Sequence, residues 1–274
     1  MKLIYPELFA ANNQVTTVIT ERILKKYSHL IKWRNEATIM EIGYADGGSS
    51  QRSFHPYLPS NLKEFIAVDK SDTMLEYAKQ HYMRPSIKFD QLDIMTKQVP
   101  SKYLNRFDHI FGFLLMDMVQ DPKQAFHNMY RMLKPGGSIF QTFFEYTPVD
   151  DSVEKLTKDP EWNKYGVENL LSPYYYSPNP RREWERDLDE SDFQNYDLFE
   201  YIDSYDFLDG NEFDNVFLSF CMFLPNIPYH KQESFKKVYR ALTRKDKTMS
   251  FRVVDGKEII SLNYKVFVVS ASKV

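Results

Sequence analysis

Between residues 37 and 145 short apolar runs alternate with helical patterns, and this alternation constrains the fold more than any other feature of the chain. "ATIMEIG" is a β-rich run ending in glycine, "LKEFIAVD" a second ending in an acid, and "SIKFDQLDI", "FDHIFGFLLM" and "GGSIFQTFF" complete five. Helical segments lie between them. "SSQRSFHPYLP" reads as a short helix stopped near Pro59, "SDTMLEYAKQHY" has Ser71 placed to cap it, and "DPKQAFHNMYRML" precedes the fifth strand. Strands separated by helical crossovers run parallel, and runs this apolar are buried on both faces. The expected architecture is α/β, a mostly parallel sheet with helices on both sides.

Upstream, residues 14 to 31 place Val15, Val18, Ile19, Ile23, Leu24 and Leu30 at helical spacing. After Phe144 the alternation lapses into a Pro-, Tyr- and Trp-rich stretch over 146–187, read as a cap over the sheet edge where substrate selection belongs. "FQNYDLFEYIDSYDF" resumes as a strand and a helix-rich segment with "LPNIP" follows. The turn "VVDGKE" then leads into the alternating strand "EIISLNYKVFVVSAS".

Composition narrows the partners. The net charge of -3 gives no global basic field for nucleic acid, and the cluster Lys236, Lys237, Arg240, Arg244, Lys245 and Lys247 reads as a solvated helix face. One cysteine, Cys221, excludes an intramolecular disulfide framework and a multi-cysteine zinc site. His55, His81, His109, His127 and His230 are scattered, so no metal is expected. With no basic-then-apolar start and no long apolar segment, a soluble, cytoplasmic protein without membrane insertion is expected. Aromatics at 16% are compatible with an apolar ligand pocket as well as with an aromatic core.

In a doubly wound sheet the ligand sits at the carboxyl ends of the strands, so the loop "EIGYADGGSS" after the first strand matters most. Gly43 permits a tight turn, and Gly47 and Gly48 permit close backbone approach to a ligand. Asp69 ends the second strand, where a carboxylate can accept both hydrogen bonds of a ribose diol. Asp93 in "LDIM" can bond an adenine amino group while Ile94 covers the ring. The loop matches neither a P-loop nor G-x-G-x-x-G. Asp46 would disfavour a pyrophosphate but suits the ammonium group of an amino-acid-bearing nucleoside, which favours S-adenosylmethionine.

"EIGYADGGSS", "VDKSDTMLEYAKQ", "LDI", "FDHIFGF" and "LKPGGSIF" occur in the order of the motifs of class I S-adenosylmethionine-dependent methyltransferases, and the chain resembles that group. "HLIKW", "WNKY", "SPYY", "NIP" and "LNYKVFVVSASK" resemble, more narrowly, insect juvenile hormone acid methyltransferases, over about residues 10 to 273. The resemblance implies a Rossmann-like fold with a seven-stranded, mostly parallel sheet and a helical cap. It implies one domain over 1–274, divided into an N-terminal lid helix (1–35), a cofactor-binding core (36–145), a cap (146–190) and a C-terminal part completing sheet and pocket (191–274). It implies methyl transfer to the carboxylate of a sesquiterpenoid, farnesoic acid or juvenile hormone acid, leaving S-adenosylhomocysteine. Such a carboxylate is already ionised at neutral pH, so no general base is required.

The cofactor residues implied are Glu41, Gly43, Tyr44, Asp46, Gly47, Asp69, Lys70, Asp93, Ile94 and Phe113. Gln14 falls where the family has a glutamine thought to bond the substrate carboxylate. Asp117 and Met118 occupy the positions of a family His-Trp pair and are counted with Gln14 as catalytic. Met118, Tyr146, Trp162, Tyr174 and Phe220 are expected, with Gln14, to meet an apolar carboxylic acid; a homodimer is left open. Three departures bear on turnover: Tyr44 replaces a small residue, Asp117 would repel an anion, and Met118 removes a flat donor-bearing wall. A cofactor- or terpenoid-binding paralogue of weak activity, and a carboxyl methyltransferase for another acid, are the alternatives.

Overall fold

A computed structural model describes residues 6–82, 84, 86–147 and 149–274. Residues 1–5 of the expected lid and residue 148 of the expected cap lie outside them. Two helices come first, α1 (Pro6–Asn12) and α2 (Gln14–Tyr27). The apolar period of α2 buries Val15, Ile19, Ile23 and Leu24, and the helix ends in a 3-10 turn at Ser28–Leu30. At seven residues α1 is too short to show a period, which is why the sequence did not mark it.

The alternation then becomes β1 (Thr38–Ile42), α3 (Gly48–Ser53), β2 (Glu64–Asp69), α4 (Asp72–Tyr82), β3 (Ile87–Gln91), β4 (Phe107–Phe113), α5 (Pro122–Met132) and β5 (Leu133–Phe144). Helices α6 (Asp150–Thr157) and α7 (Pro180–Asp189) occupy the cap region. Strand β6 (Asn195–Phe207), helices α8 (Gly210–Ser219) and α9 (Tyr229–Thr243), and strands β7 (Met249–Val254) and β8 (Lys257–Ser272) follow.

The sheet order is β3-β2-β1-β4-β5-β8-β6, with β7 pairing β8. The neighbours from β3 through β5 are parallel, whereas β8 runs antiparallel to β5, β6 and β7. The sheet therefore has eight strands rather than the expected seven. The additional one, β7, is largely exposed and carries no burial signal. It is folded onto β8 by a two-residue turn whose residues, Asp255 and Gly256, both have positive φ (51° and 75°), the twist that suits a hairpin.

Both faces of the sheet are covered. Ile39, Phe65 and Phe111 point toward the core shared with α2, α8 and α9, while Met40, Ile66 and Ile110 point toward α5 and α7. The strand order reverses beside β1, between the successions β1-β2-β3 and β4-β5, and opens a crevice at the carboxyl ends of β1 and β4.

Candidate active site

A cavity fills that crevice. It runs from the loops after β1, β2 and β3, past the residues following β4, to α1, α2 and α8.

The β1 loop shows why it needs glycine at two places. Gly43 has φ 69°, and a side chain there would lie 2.7 Å from Leu115. Gly47 (φ 79°) is hemmed in by Tyr44, since an added Cβ would sit 2.5 Å from the tyrosine ring. Gly47 lies outside the cavity wall, and the close approach its missing side chain permits is that of the Tyr44 ring. Tyr44 itself is buried, with its ring edge-on to Phe65 and Phe89 at 6.1 and 5.7 Å. Its bulk is absorbed by the core.

Ala45 also adopts a left-handed conformation (φ 51°), and its N–H donates to the Asp69 carboxylate at 2.9 Å. The other Asp69 oxygen accepts the Ser71 N–H at 2.8 Å. Asp69 thus ties the β1 loop to the start of α4. After β3, Asp93 accepts the Met95 N–H (2.9 Å). The Ile94 carbonyl is gripped by the Asn128 amide at 2.6 Å, a support from α5 that the sequence did not announce.

Glu41 and Asp46 are both buried in the wall. Glu41 accepts the Ser50 hydroxyl at 2.6 Å, yet burial pushes its carboxyl up to about 8. Burial raises Asp46 to about 6 against the pull of the Gly48 N–H and Arg52. Among the described residues, the wall's carboxylates are Glu41, Asp46, Asp69, Asp93 and Asp117, and its one cation is Lys70. This donor set fits a nucleoside bearing positive charge and opposes a polyphosphate.

Phe113, Met118 and Phe220 line the cavity beyond β4. Asp117 lies in a 3-10 turn at Met116–Met118, buried, with the Phe144 N–H donating to it at 3.3 Å. Burial, aided by Asp150, lifts its carboxyl to about 7. Leu114 is left-handed (φ 52°) and its N–H is held by the Thr142 hydroxyl at 3.1 Å.

Four expected substrate contacts fall elsewhere. Gln14 is exposed at the start of α2 and outside the wall, whereas its neighbour Asn13 is 2% exposed and lines it. Tyr146 donates to Asp151 and lies beneath Lys247. Trp162 is buried against Phe235, and Tyr174 donates to Asp187 with its ring edge-on to Trp184. These aromatics build the cap's own packing, which composition cannot distinguish from a pocket lining. Asn13, Thr16 and Thr20, which no motif marks, line the cavity; their i, i+3, i+7 spacing writes a polar stripe on a largely apolar helix face. Among the described residues no cluster of three His, Cys, Asp or Glu is placed to hold a metal ion, and no helix is long and apolar enough to cross a membrane.

A family model described as a methyltransferase domain matches residues 45–141. A juvenile hormone acid O-methyltransferase of Drosophila melanogaster is 30% identical over 236 residues, covering 83% of this chain and 78% of that one. A solved structure of a putative methyltransferase from Bacillus halodurans C-125 superposes with TM-score 0.58 at 16% identity, covering 91% of this chain and 98% of that one. Phosphoethanolamine N-methyltransferase 2 of Haemonchus contortus, solved in complex with S-adenosyl-L-methionine, gives TM-score 0.51 at 15% identity, covering 92% of this chain and 52% of that one.

Proposed function

The chain belongs to the juvenile hormone acid O-methyltransferase family, and on that premise we propose that it methylates the carboxylate of an apolar sesquiterpenoid acid, with farnesoic acid the first acceptor to test. Its cofactor is S-adenosylmethionine, which when bound supplies a methyl group activated by the positive sulfonium. The observation that carries the reading is one continuous cavity with two chemistries: carboxylate-lined loops at β1, β2 and β3, and an apolar wall of Phe9, Val216, Phe217, Phe220 and Met222 beyond β4.

In this reading Asp69 takes the ribose, Asp93 and Ile94 take the adenine, and Glu41 and Asp46 face the ammonium end. The apolar wall holds a hydrocarbon tail and excludes water. An ionised carboxylate needs no base, so the chain's contribution is alignment of that carboxylate with the methyl carbon in a dry site. Tyr44 lines the cavity with its ring packed against Phe65 and Phe89, so in this reading its bulk is accommodated beside the cofactor.

Radiolabelled methyl transfer from S-adenosylmethionine to farnesoic acid is expected to yield a methyl ester. Binding of S-adenosylhomocysteine without ester from farnesoic acid, juvenile hormone acid or a panel of fatty acids would reject carboxyl methylation and favour a binding paralogue.

A further inference from the structure

Asp117 stands apart from the other wall carboxylates. Glu41 on β1, Asp46 in its loop, Asp69 and Lys70 at the end of β2, and Asp93 after β3 all belong to the side where the β1–β3 loops converge. Asp117 follows β4 and accepts the backbone N–H of Phe144 at the end of β5. Lys70 follows β2, two strands from β4 in the sheet order, and among the described residues no cation is one of the groups that act on Asp117. Behind Asp117 is Asp150 of α6, buried, its oxygens taken by the Thr147 N–H, the Ser172 N–H and the Ser172 hydroxyl. From α1, α2, α8 and the residues that flank them the cavity is faced by Phe9, Asn13, Thr16, Thr20, Phe217 and Phe220, none of them charged.

An anionic acceptor placed beyond β4 therefore meets a buried carboxyl with another acid behind it and no described cation beside it. Two ionised carboxylates in such a place repel strongly, whereas one proton between them converts repulsion into a charge-assisted hydrogen bond.

We propose that Asp117 acts as a neutral carboxylic acid that donates a hydrogen bond to the acceptor's carboxylate, so that the two carboxyl groups share one proton. The assignment rests on the carboxyl-methylating reading above. One acceptor oxygen takes the Asp117 hydrogen and the other is left to attack. As the new C–O bond forms, the C–S bond breaks and its electron pair stays on sulfur; the shared proton remains on Asp117. Burial of Asp117, which lifts its carboxyl to about 7, supports the neutral form in the free enzyme, and an adjacent anion holds the proton more firmly. The substitution that first looked like an obstacle becomes a specificity device. It favours a bare carboxylate and makes turnover sensitive to alkaline pH.

The test compares wild type, D117N and D117A with farnesoic acid between about pH 5.5 and 9, following kcat/KM and, by calorimetry, acid binding to the S-adenosylhomocysteine complex. Wild-type kcat/KM and acid affinity are expected to fall together above about pH 7, approaching ~10-fold per pH unit. D117N keeps an N–H donor that cannot ionise, so its profile should lose the step near pH 7 and retain only the shallower decline that Glu41 adds nearer pH 8. D117A should bind the acid ~10-fold or more weakly than D117N at pH 6. Parallel pH profiles for wild type and D117N, or equal acid affinities for D117N and D117A, overturn the assignment while leaving carboxyl methylation intact. Absence of ester from the wild type at every pH, with S-adenosylhomocysteine still bound, overturns the carboxyl reading and this assignment with it. Should either variant fail to bind S-adenosylhomocysteine, the wild-type pH dependence of acid binding decides alone: a flat curve overturns the assignment.

Discussion

Glu41 is the next-to-last residue of the fully buried β1 and accepts the Ser50 hydroxyl, and burial raises its carboxyl from 4.5 to about 8. The folded free protein therefore keeps a proton that the unfolded chain has released across that window. Where the folded state binds more protons, stability falls as pH rises. The contribution is fully present below about 4.5 and is lost as pH climbs through about 8. E41Q supplies the same shape without the ionisation. Its stability relative to wild type is expected to improve steadily from about pH 5 to pH 8 in the free protein, read from urea midpoints at matched pH. A difference that stays constant with pH would show that Glu41 does not titrate in that range. At this scale the sequence revealed which acids stand at strand ends, because strand-end position follows from the apolar runs. Their protonation was not legible, since it is set by how much water each carboxyl loses. That Asn13 and not Gln14 lines the cavity is illegible for a related reason: adjacent residues at a helix start point about a quarter-turn apart, and only packing decides which enters the cavity.

Helix α1 shows what elements add. Phe9 is 4% exposed and sits edge-on to Phe220 at 5.4 Å, joining α1 to the segment just after α8 across the apolar end of the cavity. A seven-residue helix cannot hold itself in water, so its position depends on such contacts. Replacing a packed phenylalanine by alanine removes about 3–5 kcal/mol of local packing. F9A is expected to raise KM for the apolar acid ~10-fold or more through lost wall and looser docking, and to change S-adenosylhomocysteine affinity less than ~3-fold. Steady-state kinetics and calorimetry on one preparation measure both; equal losses in the two affinities would mean that α1 supports the whole crevice rather than its acceptor end. The strands and helices from 37 to 145 were legible because period and turn residues agree there. Helix α1 is too short for a period, β7 has no buried face, and the cap aromatics Trp162 and Tyr174 carry no mark in sequence that separates packing from lining.

Among the described residues the cavity gathers five carboxyl groups and one lysine from segments spread between residues 41 and 117, brought together by the parallel order β3-β2-β1-β4. An anion entering this cavity alone meets unfavourable charge. At roughly 10 Å, two strand spacings, a like-charge pair costs about 1.5 kcal/mol in a site of intermediate polarity, and even with Asp117 protonated and Glu41 and Asp46 partly so the field stays negative. A cofactor with a sulfonium and an ammonium brings positive charge into the loops around β1 before the acceptor arrives. Binding is therefore expected to be ordered, cofactor first. Farnesoic acid should bind the free protein at least ~10-fold more weakly than it binds a complex with a non-reactive cationic analogue of the cofactor. S-adenosylhomocysteine, which has the same nucleoside and amino acid but an uncharged sulfur, should restore part of that gain. Calorimetry of the acid against the free protein and the two complexes gives the three affinities directly. By linkage the acid must tighten the cationic analogue by the same factor, which provides an internal check. Equal acid affinities in all three states would show that the fixed carboxylates are neutralised by bound protons instead, and the cavity's charge would then play no part in the order of binding.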